Sequence, residues 1–171
     1  MPSIRLLQPS DSLVELTTLL HRAYASLARM GLNYTAVDQT PETTAQRIQG
    51  GTCWVATHGA SLVGTLLAQP THAKSNCEYF TRPGVACVHQ FAVDPDHQGR
   101  GLGRQLLQLA EQWAADRGYT ELAMDTAEPA THLVELYGRL GYRPVGSVQW
   151  RGKVYRSVVL SKPLVAGITP P

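Results

Sequence analysis

Residues 88–117 carry the strongest local pattern in this chain: a short apolar segment, a glycine-rich turn and a long amphipathic segment. Residues 89–93, HQFAV, are apolar on alternate positions and end at Asp94-Pro95, a pair typical of turns. Glycines then stand at three alternate positions, which are Gly99, Gly101 and Gly103. The pattern predicts a strand over residues 85–93, a tight turn and then a helix.

The helix is predicted over residues 100–117. Large apolar residues recur there at spacings of four, three and four, which places them on one helical face: Leu102, Leu106, Leu109 and Trp113. Arg117 followed by Gly118 is typical of a helix C-terminus, since a cation suits the last turn and glycine suits the position after it.

A glycine-rich turn at the start of a helix predicts an anion site. The first amides of a helix have no partner inside it, and the helix dipole is positive at that end. Glycines let a phosphate approach these amides, and Arg100 and Arg104 add positive charge. We therefore expect a phosphorylated ligand, with a pyrophosphate as the bound group.

Two common nucleotide motifs do not fit this turn. The dinucleotide fingerprint G-x-G-x-x-G requires a glycine where this chain has Arg104, and the P-loop pattern G-x-x-x-x-G-K-[ST] is also absent. Instead, residues 98–103, QGRGLG, resemble the Q/R-x-x-G-x-G/A acetyl-CoA motif of the GCN5-related N-acetyltransferase (GNAT) superfamily. The preceding FAVDPDHQ is similar to that family's fourth strand and turn, and residues 136–142, LYGRLGY, resemble its L-Y-x-x-x-G-F element.

The order of the predicted elements favours an α/β fold. The order βααβββαβαββ mixes an antiparallel hairpin half with a βαβα half. The resemblance implies one GNAT-like domain over residues 1–165, with helices on both faces of a mixed central sheet of about seven strands. It leaves residues 166–171 as a short C-terminal tail.

The bounds of the elements follow from periodicity and turn residues. The predicted strands cover residues 4–7, 52–57, 61–68, 85–93, 121–126, 145–150 and 154–160, and the predicted helices cover residues 12–30, 41–48, 100–117 and 131–140. Residues 32–40 and 70–83 are expected to be loops.

Composition argues against several function classes. The 171 residues include 15 Lys and Arg against 13 Asp and Glu, and a net charge of +2 is too weak to favour nucleic acid or a membrane surface. No apolar stretch approaches the length of a transmembrane helix, and the first residues lack a signal-peptide core. We therefore expect no nucleic acid and no membrane among the partners.

The cysteines and histidines predict neither a disulfide framework nor a metal site. Three cysteines occur, without a C-x-x-C pair, and the six histidines show no metal-ligand spacing. Cys53 and Cys87 stand in apolar segments and are expected to be buried. We expect a reduced, cytoplasmic protein without a metal.

The resemblance implies that acetyl-CoA is the co-substrate. In the family, backbone groups of the fourth strand pair with the pantetheine arm, and amides of the turn bind the pyrophosphate. The matching positions here are Phe91, Ala92, Val93, Gln98, Gly99, Arg100, Gly101, Leu102, Gly103 and Arg104. Many relatives also carry an asparagine that contacts the cofactor arm, and this chain departs from them with Ala130.

The resemblance places the general acid at Tyr137. A phenol has an ordinary pKa of about 10, so it is protonated at neutral pH and can donate its proton to a departing thiolate. Periodicity alone favours a core residue at Tyr137, because Leu133, Leu136 and Leu140 share its helical face, and the family motif favours the acid.

The general base is predicted at His89. An attacking ammonium must first lose a proton, and many family members carry a glutamate on the fourth strand where this chain has His89. Imidazole, with an ordinary pKa of about 6.5, suits that task. Strand alternation places His89 on the face of Phe91 and Val93, and a hydrogen-bonded structural histidine is the alternative. Further candidates for the base are Glu78, Asp125 and Glu128.

The acceptor site is predicted from where family acceptors approach, between the first helices and the last two strands. In this chain the residues at those places are Asn33, Tyr34, Asp38, Trp150 and Tyr155. A carboxylate at such a site would suit a cationic amine.

The expected activity is transfer of the acetyl group of acetyl-CoA to a primary amine of a small molecule, by direct attack in a ternary complex. A protein acetyltransferase acting on an N-terminus or a lysine stays open, as does a non-catalytic acyl-CoA-binding regulatory module. Tyr137 favours turnover, since a sensor needs no acid there. Members of this fold often pair, so a homodimer is also expected.

Overall fold

The computed structural model describes residues 1–165, and the predicted tail over residues 166–171 lies outside the described residues. The strands are β1 (Ser3–Leu6), β2 (Thr52–His58), β3 (Ser61–Gln69), β4 (Val85–Val93), β5 (Glu121–Ala127), β6 (Arg143–Val148) and β7 (Ser157–Pro163). The helices are α1 (Leu13–Arg29), α2 (Thr35–Asp38), α3 (Pro41–Ile48), α4 (Leu102–Asp116) and α5 (Thr131–Arg139).

The strands form one mixed sheet in the order β1-β2-β3-β4-β5-β7-β6. Strands β1 and β2 pair antiparallel, as do β5 with β7 and β6 with β7, whereas β4 and β5 pair parallel. The parallel pair follows from α4, because parallel neighbours need a crossover connection between them. This architecture confirms the predicted α/β fold class and its seven-stranded mixed sheet.

Two compact units make up the described chain. Unit 1 consists of Met1–Leu67 and His89–Leu107. Its helix α1 begins where the Ser12 hydroxyl accepts a hydrogen bond of 3.2 Å from the Glu15 amide, which caps the helix. One of its buried clusters joins two residues of α1 to the hairpin of β2 and β3, through Leu16, Leu19, Val55 and Leu62.

Unit 2 consists of Ala68–Val88 and the described chain from Gln108 onward. Its buried cluster joins the segment before β4 to strands β4–β7, through Cys77, Phe80, Val85, Cys87, Ala123, Val148 and Val159. The three cysteines are free thiols and all are buried, which confirms the predicted burial of Cys53 and Cys87. Burial raises the pKa of the Cys87 thiol to about 12, so this side chain stays an uncharged, small apolar group.

Two predicted loops contain short helical turns. Residues 32–40 include α2, in which the Tyr34 and Thr35 carbonyls accept hydrogen bonds of 3.0 Å from the amides of Val37 and Gln39. Residues 70–83 include a 3-10 helix over Glu78–Thr81. The loop predictions were wrong there because one turn of helix has no apolar period that a sequence could display.

The closing hairpin is present but its turn is longer than predicted. Residues 149–156 connect β6 to β7, where a turn over residues 151–153 was expected. The Gln149 amide nitrogen donates to the carbonyls of Trp150, Lys153 and Tyr155, at 3.4, 3.0 and 3.0 Å. These bonds satisfy carbonyls that a longer ladder would have paired, so the strands end earlier.

Helix α4 matches its predicted range within two residues at its start. Its buried side chains are Leu102, Leu106, Leu107, Ala110, Trp113 and Ala114. The prediction was wrong for Leu109, which is 38% exposed, because the buried arc of the helix is centred on the side that carries Ala110. Among residues 1–165, no helix has the length and apolar character needed to cross a bilayer.

Candidate active site

The entry to the glycine-rich turn is fixed by Asp94 at the end of β4. Its amide donates to the Val63 carbonyl at 2.9 Å, and its carboxylate accepts from the Asp96 amide at 3.0 Å. The Arg22 guanidinium of α1 donates to the same carboxylate at 2.9 and 2.8 Å. The turn therefore leaves the strand from a point that both the sheet and α1 hold.

The carboxyl group of Asp94 is stabilised in its charged form. Burial alone would raise its pKa, but the hydrogen bond from the Asp96 amide and the pairing with Arg22 outweigh burial. The pKa of Asp94 consequently lies below its ordinary value. A permanently charged carboxylate at this point keeps both of its partners in place at neutral pH.

The turn itself is open and glycine-dependent. Gly99 and Gly101 adopt φ values of 74° and 80°, a left-handed conformation that side chains disfavour. A Cβ atom at either position would meet nothing within 4 Å, so the surrounding space is free for a ligand. Gly103 differs, because its Cβ would lie 3.2 Å from the Phe91 ring. That glycine lets α4 pack closely against β4.

Helix α4 presents its first amides at this turn. The Gly101 carbonyl accepts the Gln105 amide at 3.1 Å, so the amides of residues 102–104 precede the first hydrogen bond within the helix. Arg100 and Arg104 are both exposed beside them. Free amides, a positive helix end and two guanidinium groups together can bind a pyrophosphate.

The other predicted donor-binding residues lie on β4 and in the turn. Phe91 and Val93 are half-buried and Ala92 is buried. The Gln98 side chain folds back and donates to the Val93 carbonyl at 3.0 Å, so it ties the turn to the strand. The structure thus brings the ten predicted residues together along β4, the turn and the start of α4.

Strand β4 has a kink that the sequence did not indicate. Gln90 adopts φ 48°, in the left-handed region where glycine is normally found. The Gln39 amide donates to the Gln90 side-chain oxygen at 2.7 Å. At the next residue, the Tyr24 hydroxyl donates to the Phe91 carbonyl at 3.1 Å. Glutamine has no preference for this conformation, so no sequence signal could have identified the kink.

His89, the predicted base, directly precedes the kink. It is half-buried, as are Phe91 and Val93, while Gln90 and Ala92 between them are buried. The exposure therefore alternates along the strand as expected. His89 as a base stays a prediction.

The predicted acceptor residues of unit 1 lie around α2. Asn33 and Asp38 are exposed, whereas Tyr34 is only 8% exposed. The ring centroid of Tyr34 lies 5.5 Å from that of Tyr24, whose hydroxyl binds the β4 backbone. The segment around α2 is thus connected to the donor strand through α1.

The predicted acid lies in unit 2, on α5. Tyr137 is 9% exposed, and its ring meets the Tyr142 ring edge-on at 6.4 Å. The Tyr142 hydroxyl donates to Glu111 at 2.9 Å, and Lys162 donates to the same carboxylate oxygen at 3.0 Å. Burial, followed by the nearby Glu111 charge, raises the pKa of Tyr142 far above its ordinary value. Tyr142 therefore contributes to packing, and Tyr137 as the acid stays a prediction.

The remaining predicted site residues of unit 2 lie on β5 and the β6–β7 loop. The Trp150 indole donates to the Asp125 carboxylate at 2.8 Å, and its ring stacks on Phe80 with centroids 6.4 Å apart. Tyr155 is half-buried in the same loop, while Glu78 and Glu128 are exposed. Among the acidic candidates Glu78, Asp125 and Glu128, the structure thus shows Asp125 with its carboxylate oriented by a hydrogen bond from the Trp150 indole.

Ala130 directly precedes α5 and is fully buried. The family's asparagine contact to the cofactor arm is accordingly not available from this position. Within residues 1–165, no group of three or more His, Cys, Asp and Glu side chains could hold a metal ion.

Comparisons with solved structures agree with this fold. The chain is similar to the ribosomal-protein-S18-alanine N-acetyltransferase from Escherichia coli, with a TM-score of 0.72 and 20% identity over 100% of this chain and 99% of that one. It is also similar to a GNAT family acetyltransferase from Elizabethkingia anophelis with acetyl-CoA bound, with a TM-score of 0.67 and 18% identity over 95% and 98% of the two chains. At these identities the likeness shows the fold.

Comparisons with known sequences identify the family. The chain is 29% identical to the S-(2-succino)cysteine N-acetyltransferase of Bacillus subtilis (strain 168), over 91% of this chain and 90% of that protein. It is 31% identical to N-acetyltransferase 8B of Rattus norvegicus over 60% of this chain, but it spans only 46% of that protein. The profile of the Acetyltransferase (GNAT) family matches residues 15–142. The chain therefore belongs to this family, as residues 98–103 and 136–142 indicated, and it is an acyltransferase that uses acetyl-CoA as its co-substrate.

Proposed function

We propose that this protein transfers the acetyl group of acetyl-CoA to a primary amine of a small molecule by direct attack in a ternary complex. The amine nitrogen forms a bond to the acetyl carbon, and the bond from that carbon to the CoA sulfur breaks. An ammonium acceptor first loses one proton to the base, and the nitrogen loses a second proton as the amide forms. The departing thiolate gains one proton, so one proton is released overall. The products are an amide and free CoA.

The observation that carries this proposal is the open turn at the start of α4. Gly99 and Gly101 leave space above the first helix amides, and Arg100 and Arg104 flank them. A pyrophosphate bound there neutralises the positive helix end and is neutralised by it. The acetyl group would then extend along β4, where the resemblance places the pantetheine arm.

A small acceptor is favoured by a relative that this chain matches over 90% of its length. That relative is the S-(2-succino)cysteine N-acetyltransferase, which is 29% identical to this chain. We infer an acceptor of the same chemical class, an amino acid or a close derivative with a free α-amine. Asn33 and Asp38 are exposed around α2, and in this proposal they contact the acceptor.

Tyr137 acts as the acid in this proposal. The departing thiolate needs a proton, and a phenol carries one at neutral pH. Tyr142 is unsuited to this role because its hydroxyl proton already engages Glu111 and its ring is fully buried.

His89 acts as the base, directly or through a water molecule. It lies two residues before Phe91 on β4, and the residue is half-buried. A base with an ordinary pKa near neutrality can accept the proton that the ammonium must lose. His89→Gln should remove the acidic limb of the pH profile of kcat/KM, and an unchanged profile would exclude this assignment.

The test is release of free thiol from acetyl-CoA in the presence of a panel of amines. The panel contains α-amino acids, S-substituted cysteines, polyamines and short peptides, and mass spectrometry identifies any acetylated product. We expect turnover with α-amino acids or their derivatives. Turnover confined to peptides would contradict the small-molecule assignment, and an absence of thiol release with every amine would contradict the enzymatic proposal.

A further inference from the structure

A buried polar network in unit 1 is not used by the reaction proposed above. It joins α1, the segment between α2 and α3, helix α3 and strand β4. Its four innermost residues are at most 5% exposed: Thr17, Gln39, Thr44 and Gln90. Buried polar groups are costly unless they are hydrogen-bonded. The bonds within this network therefore help to fix the conformation of unit 1.

The direction of the network is fixed by Arg47. Its guanidinium donates to the Gln39 side-chain oxygen at 2.8 Å, and a guanidinium can only donate. The nitrogen of the Gln39 amide must therefore face the other way. There it donates to the Thr44 hydroxyl and to the Gln90 side-chain oxygen, both at 2.7 Å.

The far end of the network is the kink of β4. Among residues 1–165, Gln90 is the one non-glycine residue with a positive φ. In that conformation the Cβ crowds the following carbonyl, and the strain persists only where surrounding contacts hold it. The hydrogen bond from Gln39 can hold this strained conformation, because it is made to the side chain of Gln90 itself.

The kink lies within the segment that the proposed function assigns to donor and base. Gln90 stands between His89 and Phe91, and the Phe91 carbonyl is held separately by the Tyr24 hydroxyl at 3.1 Å. The Gln39 carbonyl is itself held by His21 of α1 at 2.8 Å. Gln39, which donates to Gln90, is therefore itself held by hydrogen bonds to both its backbone and its side chain.

We propose that Gln39 is a positioning residue that acts through Gln90. Its amide holds the left-handed turn of β4, and this turn sets the geometry of His89 and of the backbone of residues 91–93. Gln39 itself need not touch either substrate. The inference rests on the proposed function, which assigns this segment of β4 to acetyl-CoA and to the base.

The test is a double-mutant cycle between Gln39→Leu and Gln90→Gly. Leucine at position 39 has a similar volume but makes none of the three side-chain hydrogen bonds of Gln39. Glycine at position 90 adopts the left-handed conformation without a hydrogen bond to stabilise it. Gln39→Leu should weaken acetyl-CoA binding about tenfold, which corresponds to loss of one strained non-glycine conformation. In the Gln90→Gly background the same substitution should change the affinity by less than about twofold.

Two further variants distinguish a direct effect on acetyl-CoA affinity from a loss of folded protein. Gln46→Leu is the matched control, because it makes the same chemical change at an exposed position of α3 and should leave the affinity unchanged. Gln39→Asn keeps an amide but is one methylene shorter, so it should lose the bond to Gln90 and weaken acetyl-CoA binding. This variant carries the test if Gln39→Leu does not fold. Thermal unfolding of each variant shows which of them are folded.

Hydrogen exchange separates this inference from the proposed function. In the protein without acetyl-CoA, Gln39→Asn should speed exchange at the amides of residues 90–93, and Gln46→Leu should not. Unchanged exchange, or equal losses of affinity in both backgrounds of the cycle, would overturn the positioning role. If the wild-type protein bound no acetyl-CoA, the proposed function would fail, and the exchange data would still decide whether Gln39 holds the kink.

Discussion

Two tyrosines five positions apart have different environments. Tyr142 is fully buried, and its hydroxyl donates to Glu111, which also receives Lys162. Tyr137 lies on α5, and its ring packs edge-on against the Tyr142 ring. The Tyr142 hydroxyl, which is bonded within a charged cluster, contributes to stability, whereas Tyr137 is the residue that we propose as the acid.

Phenylalanine substitutions should separate these two roles. Tyr137→Phe should lower kcat by a factor of about 10² to 10⁴, the usual contribution of a positioned acid. Tyr142→Phe should lower the free energy of unfolding by about 1–2 kcal/mol, because Glu111 loses a buried donor, and should leave kcat nearly unchanged. Steady-state kinetics and thermal unfolding of both variants measure the difference. Equal kcat values for Tyr137→Phe and wild type would rule out Tyr137 as the acid.

At the scale of elements, the proposed donor site consists of β4, the glycine-rich turn and the start of α4, and Asp94 lies where the strand meets the turn. The carboxylate binds the Asp96 amide of the turn and Arg22 of α1. Because Asp94 is bonded to the strand β3, to the turn and to α1, the geometry of the turn depends on this junction. The junction is therefore where a structural change should affect donor binding first.

Asp94→Ala should raise the KM for acetyl-CoA while changing kcat less. The matched control is Asp11→Ala, since Asp11 pairs with Arg5 at 2.7 Å and accepts the Gln8 amide at 2.7 Å. Both variants should lose about 1–3 kcal/mol of stability, but only Asp94→Ala should affect acetyl-CoA. An equal KM in the two variants would show that Asp94 merely stabilises the fold.

The sequence was most informative where local signals agree. Glycine spacing, apolar periodicity and the family motif all pointed to residues 98–103, and the structure has the turn and α4 there. It was least informative where one side chain decides the backbone. The Gln149 amide shortens the closing hairpin, and Gln39 holds Gln90 in a left-handed conformation that glutamine does not favour. Such long-range hydrogen bonds leave no local pattern.

At the scale of the whole molecule, carboxyl groups with lowered pKa values link stability to pH. Hydrogen bonds lower the pKa of Asp11, chiefly from Arg5, and of Glu121, chiefly from the Tyr79 hydroxyl. The pKa of Asp94 is also lowered, despite its burial. A carboxyl whose pKa is lower in the folded than in the unfolded state contributes stability above its unfolded pKa. That contribution is lost as pH falls through the folded pKa.

Acid should therefore destabilise the protein below about pH 4, where the unfolded carboxyl groups begin to bind protons. Thermal unfolding between pH 7 and pH 3 should show a falling Tm over the acidic part of the range. Asp11→Asn removes one of the three groups and should reduce that fall. A Tm that stayed constant to pH 3 would contradict the assigned role of these carboxylates.

The most direct test of the account is calorimetric titration of acetyl-CoA into Gly101→Ala, Gly118→Ala and wild type. Both glycines have φ 80° and nothing within 4 Å of an added Cβ, so the two substitutions impose the same backbone strain. Gly101 belongs to the proposed pyrophosphate site, whereas Gly118 follows the C-terminus of α4. We expect Gly101→Ala to weaken binding by about tenfold or more and Gly118→Ala to bind like wild type. Equal affinity in all three proteins would contradict the claim that this turn binds acetyl-CoA.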